Sequence, residues 1–274
     1  MERVSENVYA DTGYRGCNPG FVITSEGVVM VDAPQMPSDA LKYRKEIEKH
    51  GPIRYLINTE PHGDHYTSNC LFNTTVVGQQ GTRDVIARTE IEPFRERVKM
   101  MDPDFADNVD SLSICPPSIT FTDSMKIYSG DHEFELLHLP GHTPSETAVF
   151  IPKERVVFTG DNIFYKTQAF FHEAVPNGWL ESLATLKTLD ADKVVPGHGE
   201  VCTLDYLDEQ AEFVRDWIQA AKDAVEKGWT LEEAQERISF LDRYPMGENM
   251  ENFGRELQKM NVARLYTLAK ENEI

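Results

Sequence analysis

Basic residues are scarce in this chain. Of its 274 residues, 27 are lysine or arginine and 46 are aspartate or glutamate, which gives a formal net charge of −19 at pH 7. A protein that binds nucleic acid needs a basic face to neutralise phosphates. The deficit of positive charge therefore argues against a nucleic-acid partner and favours a small-molecule substrate.

Paired cysteines and long apolar segments are lacking too. The four cysteines are Cys17, Cys70, Cys115 and Cys202. None belongs to a Cys-x-x-Cys pair, so neither a zinc knuckle nor a redox dithiol is expected. No segment approaches the ~18 apolar residues of a membrane span, and residues 1–7 contain no apolar signal core. We expect reduced thiols, no membrane association and a cytoplasmic location.

The pattern of apolar residues predicts an α/β fold. Short apolar strands alternate with helices over most of the chain, which fits two β-sheets sandwiched between helices, the αββα layering. The last part is helical, because Leu207, Ala211 and Val214 recur at spacings of four and three. We predict an αββα domain over residues 1–204 and a C-terminal helical extension over residues 205–274 that packs on it.

Four further predictions bear on this architecture. Residues 119–121 and 125–128 resemble the two strands of a hairpin. A helix is expected from about Tyr66, and residues 82–112 are expected to form a charged helical insertion. The C-terminal helices are expected either to cap a pocket or to form a homodimer face.

The most informative segment is Glu60-Pro61-His62-Gly63-Asp64-His65, which follows a short apolar strand at residues 55–57. It places two imidazoles and two carboxylates in one tight turn. Burying such a cluster without a cation would cost several kcal/mol in desolvation and like-charge repulsion. The segment therefore predicts a metal site.

Three more strands end in a glycine-bearing turn followed by a residue that can bind metal. These turns are Gly141-His142, Gly160-Asp161 and Gly197-His198. Glycine allows the sharp backbone turn that aims the next side chain across the strand ends. Four strand ends that all deliver histidine, aspartate or glutamate predict one shared metal centre.

The order and spacing of these residues over about residues 1–204 resemble the metallo-β-lactamase superfamily, whose signature reads His-x-His-x-Asp-His. Here Glu60 replaces the first histidine. The resemblance implies two metal positions with a bridging residue between them. Position one would be held by Glu60, His62 and His142. Position two would be held by Asp64, His65 and His198, and Asp161 would bridge both.

The cofactors implied are two divalent metal ions, with zinc as the first choice. Iron or manganese is the alternative, because the carboxylate of Glu60 is a harder ligand than an imidazole. A further alternative is that Glu60 hydrogen-bonds a neighbour and leaves a single metal at position two.

The resemblance implies a metal-dependent hydrolase in which a metal-bound hydroxide attacks a small ester, lactone, thioester or amide. Asp64 would orient the water, and Tyr165 would stabilise an oxyanion, as a tyrosine near this position does in the lactonase branch. Aromatic residues over 164–171 favour an apolar or aromatic substrate, and His172 is a further candidate to face the pocket. The alternatives are a mononuclear, dioxygenase-like iron oxidoreductase and a non-catalytic metal-binding protein.

Overall fold

Two β-sheets lie face to face at the centre of the structure, a computed structural model that describes residues 1–245 and 250–274. The first sheet has seven strands in chain order: β1 (Glu2–Arg3), β2 (Val8–Ala10), β3 (Gly20–Thr24), β4 (Gly27–Val31), β5 (Ile53–Ile57), β6 (Thr75–Gln79) and β7 (Ile119–Phe121). The second has five, in the order β12-β11-β10-β9-β8: β8 (Ser124–Ser129), β9 (His132–His138), β10 (Thr147–Ile151), β11 (Val156–Phe158) and β12 (Lys193–Val195).

The strand directions gather several loops at one edge. In the first sheet β4 and β5 are parallel, so both end at the same edge. In the second sheet β11 and β12 are parallel, and β9 runs in their direction because β10 is antiparallel to both β9 and β11. A backbone hydrogen bond from Thr147 to Thr59, at 2.7 Å, ties the two sheets together near these strand ends.

Helices cover the outer faces of both sheets. They are α1 (Pro37–Ile47), α2 (Gly63–Tyr66), α3 (Gln80–Ile86), α4 (Ile91–Met101), α5 (Pro176–Leu186), α6 (Tyr206–Glu226), α7 (Leu231–Arg237) and α8 (Glu251–Lys270). Short 3-10 segments cover Glu48–His50, Asn69–Leu71, Pro103–Ser111 and Gly160–Asn162. Among the helices of the described residues, none combines the length and apolar character that a membrane crossing requires.

Three apolar layers hold this arrangement together. Val31 and Ile57 of the first sheet meet Phe158 of the second in the layer between the sheets. Tyr43 on α1 belongs to the layer outside the first sheet. Trp179 on α5 belongs to the layer outside the second sheet, together with residues of α6 and α8. The predicted αββα layering is confirmed.

Two local predictions are wrong. Strand β7 pairs with β6, whereas β8 pairs with β9, so the chain crosses from one sheet to the other where a hairpin was expected. An intersheet crossing and a hairpin share the same local alternation, and only tertiary contacts decide between them. The helix expected from Tyr66 ends there instead, since buried Asn69 bonds Asn58 and the carbonyl of Cys115 and anchors a turn. The helical insertion at residues 82–112 is confirmed, as two helices and a 3-10 segment.

The C-terminal helices share one apolar core with the second sheet. Trp217 on α6 and Leu265 on α8 are buried in the same cluster as Val157 of β11 and Phe171. Because this core runs across the proposed boundary, the domain division after residue 204 stays a prediction, as does the homodimer face.

We expect Leu265→Ala to lower the free energy of unfolding by about 2–5 kcal/mol, because Leu265 is fully buried and the substitution leaves a cavity. Met260→Ala, on the same helix but 47% exposed, should change it by less than about 0.5 kcal/mol. Urea denaturation of both variants measures the difference. Equal, small effects would show that α8 does not contribute to the core.

Candidate metal centre

The loop after β5 places Glu60 at the bottom of the site. Its carboxylate is fully buried, with Oε2 at 2.8 Å from Nδ1 of His62 and Oε1 at 3.0 Å from Nε2 of His65. The backbone N–H of His62 also donates to Oε2, at 3.2 Å. Glu60 therefore lies between the two imidazoles of its own motif, where a metal ligand would lie.

The structure brings all seven predicted ligands together. Donor atoms within 4.8 Å of one another define three groups, which overlap at two residues. The groups are Glu60, His62 and His142; Asp64, His65 and His198; and Glu60, His65 and Asp161. The first two are the sets that the family resemblance assigned to positions one and two. The role of each residue as a ligand stays a prediction.

Asp161 lies between the first two groups. Its Oδ1 is 3.2 Å from Nε2 of His65, and its Oδ2 is 3.2 Å from Nε2 of His198. The same Oδ2 is 3.6 Å from Nε2 of His142. One carboxylate thus approaches imidazoles of both groups, which is the geometry that a bridging ligand needs.

Two of these converging atoms lack hydrogen bonds. Nε2 of His65 and Oδ1 of Asp161 are buried and have no hydrogen-bond partner among the described residues, although they are 3.2 Å apart. Buried polar atoms are nearly always satisfied, so atoms that converge without hydrogen bonding call for a cation between them. The donor set of imidazoles and carboxylates fits zinc, iron or manganese.

Outer hydrogen bonds fix the orientation of two histidines. Nδ1 of His65 donates to Oδ2 of Asp32 at 2.9 Å, and Asp32 in turn accepts from the backbone and hydroxyl of Thr59 at 2.8 and 2.6 Å. Nδ1 of His142 donates to the carbonyl of Phe170 at 2.7 Å. Each bond turns Nε2 toward the site, as in most metal-bound histidines, and Nε2 of His142 lies 3.0 Å from Nδ1 of His62.

Sequence reasoning missed Asp32, although a signal was present. Asp32 directly follows the buried strand β4, just as the ligand-type residues follow β5 and β11, and it adopts a left-handed φ of 55°. A carboxylate in that position, in a conformation that side chains rarely adopt, marks a functional strand end.

Sequence reasoning also missed Glu146, which is fully buried beneath the site. Its Oε1 accepts from the backbone N–H of Asp161 at 2.8 Å, and its Oε2 accepts from the hydroxyl of Thr143 at 3.0 Å. Burial, reinforced by nearby Glu60 and Asp161, raises the pKa of Glu146 well above its usual range. No local pattern marks this residue, because its role arises only from tertiary contacts.

Opposite charges shift the pKa values of the histidines. Burial disfavours the protonated rings, but Glu60 beside His62 raises its pKa to about 11 and Asp161 beside His198 raises that pKa to about 10. The pKa of His65 is also raised, whereas burial lowers that of His142. Without a metal, His62, His65 and His198 are therefore protonated beside the carboxylates at pH 7, whereas His142 is neutral.

A cavity of about 220 Å³ opens above these residues. It is lined by His62, Asp64, His142, Asp161, Phe170, His172 and His198. Tyr165 lines a different cavity, where its ring lies 4.6 Å from that of Tyr206. The oxyanion role of Tyr165 stays a prediction.

Comparison with known proteins agrees with this geometry. The family model of the metallo-beta-lactamase superfamily matches residues 12–198, which carry all seven candidate ligands. The chain belongs to this superfamily. The match covers both sheets apart from the short strands β1 and β2, and it ends at His198.

Individual relatives are distant. The 2,4-dinitroanisole O-demethylase subunit alpha of Nocardioides sp. (strain JS1661) is 26% identical over 181 residues, which are 63% of this chain and 49% of that protein. A metallo-beta-lactamase from Pontibacter korlensis has a TM-score of 0.64 at 18% identity, covering 78% of this chain and 97% of that one.

The C-terminal helices also have a structural counterpart. The stereoselective inverting sec-alkylsulfatase Pisa1 from Pseudomonas sp. has a TM-score of 0.70 at 17% identity, covering 97% of this chain and 49% of that one. At this identity the likeness shows a shared fold alone. The chain spans about half the length of several curated relatives that it matches.

Zinc binding to the metal-free protein at pH 7 should release protons. His62 and His198, with pKa values of about 11 and 10, and His65, with a raised pKa, are protonated there and must each lose one proton to bind metal. Calorimetric titration in two buffers of different ionisation enthalpy should give about three protons per chain. His198→Ala should release one fewer, and release of less than one proton by the parent would contradict this electrostatic description.

Proposed function

We propose that the protein is a metal-dependent hydrolase of a small ester, lactone, thioester or amide. The observation that carries the proposal is the pair of three-residue donor groups joined by Asp161, which line one cavity with five of their residues, His62, Asp64, His142, Asp161 and His198. Two divalent ions held there would lower the pKa of a water to near neutrality and polarise a carbonyl oxygen.

Asp64 is the best placed residue for proton transfer. Its carboxylate lines the cavity, 3.3 Å from Nε2 of His198 and 3.7 Å from Nε2 of His65. From there it can accept a proton from the attacking water and deliver it to the leaving group. Its contact with two histidines holds the carboxylate in place for this transfer.

The cavity favours a small reacting group with an apolar neighbour. Its volume of about 220 Å³ is below the ~300–1,000 Å³ of pockets that enclose drug-sized ligands. Phe170 contributes an aromatic wall, and Phe164 stacks on His198 with ring centroids 5.3 Å apart. An ester or lactone with an apolar or aromatic substituent fits these walls.

The first test is metal content and turnover. Protein purified without added metal should contain close to two ions per chain and should hydrolyse members of a panel of esters, lactones and thioesters. Asp161→Asn should reduce turnover by at least about 100-fold, since even outer partners of metal ligands are worth 10–100-fold. His50→Ala, an exposed histidine outside the cavity, is the matched control and should leave both unchanged. A variant at Asp161 with the turnover and metal content of the parent would contradict the proposal.

Glu60 should set the choice of metal. Glu60→His should raise the proportion of zinc relative to manganese and iron, because imidazole suits zinc and carboxylate suits the harder ions. Elemental analysis after growth with equal concentrations of the three metals measures this ratio. Glu46→His, on α1 with a 47% exposed side chain, is the control, and an unchanged ratio in Glu60→His would show that Glu60 does not bind metal.

A second candidate function is a mononuclear iron oxidoreductase. One observation favours it, namely that three of the seven candidate ligands are carboxylates, Glu60, Asp64 and Asp161, which suit iron. Substrate-dependent oxygen uptake by protein containing one iron per chain would support it. Turnover without oxygen uptake would support the hydrolase.

A further inference from the structure

A loop after Asp161 controls the orientation of one candidate ligand. Phe170 in this loop lines the cavity with its ring, and its carbonyl oxygen accepts the hydrogen bond from Nδ1 of His142 at 2.7 Å. A backbone carbonyl at that position fixes which ring nitrogen of His142 carries the proton. The position of the Phe170 carbonyl therefore determines whether Nε2 of His142 faces Glu60 and His62.

Helix α8 holds this loop through the side chain of Asn261. Asn261 is fully buried, and its Oδ1 accepts from the backbone N–H of Phe171 at 2.7 Å. Its Nδ2 donates to the carbonyl of Ala169 at 2.9 Å. The carboxamide thus bonds the residues on both sides of Phe170, from about 90 residues further along the chain.

A second buried amide pair attaches the start of the loop. Nε2 of Gln258, one turn earlier on α8, donates to Oε1 of Gln168 at 3.0 Å. Nε2 of Gln168 donates to the carbonyls of Phe240 and Tyr244 at 2.9 and 2.6 Å. A buried polar network is costly unless its members are bonded, and this one joins the loop, through Gln168, to α8 and to residues 240–244.

We propose that Asn261 is a positioning residue for the metal centre. It clamps residues 169 and 171, which holds the Phe170 carbonyl against His142 and keeps Nε2 of His142 directed at Glu60 and His62. The inference rests on the proposed function only in taking His142 as a metal ligand. The proposal gives α8 a part in orienting His142, although α8 contributes no residue to the 60–65 motif or to the cavity lining.

The clamp makes position one dependent on α8 and leaves position two independent of it. His65 is oriented by Asp32, and His198 is oriented by contacts with Asp64 and Asp161 and by stacking on Phe164, whereas the hydrogen bonds of Asn261 go to Phe171 and Ala169. Loss of the clamp should therefore weaken one metal position selectively. A general loss of stability would affect both.

The test compares Asn261→Leu with Leu265→Ala in the full chain. Asn261→Leu keeps the approximate volume but removes both hydrogen bonds, whereas Leu265→Ala destabilises the same helix through a cavity and removes no polar contact. Asn261→Asp keeps the acceptor for Phe171 and loses the donor to Ala169. It provides a graded variant should Asn261→Leu fail to fold.

The first readout needs no metal. Nitrogen-15 NMR of the histidine side chains in metal-free protein should show a protected Nδ1–H for His142, assigned with His142→Gln. That signal should be lost in Asn261→Leu, weakened in Asn261→Asp and retained in Leu265→Ala. Retention of the parent signal in both Asn261 variants would overturn the proposal.

The second readout is calorimetric titration with zinc. In Asn261→Leu one zinc should bind as in the parent and the other about 10–100-fold more weakly, as expected when an outer partner of a ligand is removed. An equal loss at both positions, or the same selective loss in Leu265→Ala, would overturn the proposal. If the parent bound none of zinc, manganese and iron while the NMR signals behaved as expected, the metal-dependent function would fail and the clamp on His142 would stand.

Discussion

Burial of charge at one edge of the two sheets is the constraint on which the rest of the structure depends. Glu60, His65 and Asp161 are almost wholly buried, and Nε2 of His65 lies 3.0 Å from a carboxylate oxygen of Glu60 and 3.2 Å from one of Asp161. Carboxylates and imidazoles in such surroundings are stable only when paired or bound to metal. The hydrogen bonds from Thr59 to Asp32 and from Asp161 to Glu146 hold these groups in the position where a cation would satisfy them.

Backbone geometry makes this convergence possible. A Cβ on Gly197 would lie 1.9 Å from Oδ1 of Asp161, and a Cβ on Gly160, whose φ is +52°, would lie 2.3 Å from Oε1 of Glu146. Only glycine allows the turn before His198 and the turn before Asp161 to approach so closely. Packing between the sheets then brings the loop after β5 against both turns, so the core and the site constrain each other.

The sequence predicts the layering and the candidate ligands because both are local patterns. Apolar alternation marks the strands, and a ligand-type residue after a glycine turn marks the strand ends. Asp32 shares part of that signal, but Glu146 and Asn261 do not, since each acts through a partner 15 to 92 residues away in the chain. The sequence also does not predict that the chain crosses between the sheets from β7 to β8. The local pattern does not determine which sheet a strand joins.

Glu60 links the electrostatics of the site to its chemistry. If two divalent ions bind here, Glu60 adds a third candidate carboxylate to Asp64 and Asp161, so that three negative charges would face four positive ones. The closer balance lowers the cost of burying the ions together. It would also make them weaker Lewis acids, because a carboxylate donates more charge than an imidazole. Under the proposed function, Glu60 would therefore favour the more activated carbonyls among the proposed substrates, such as esters and lactones.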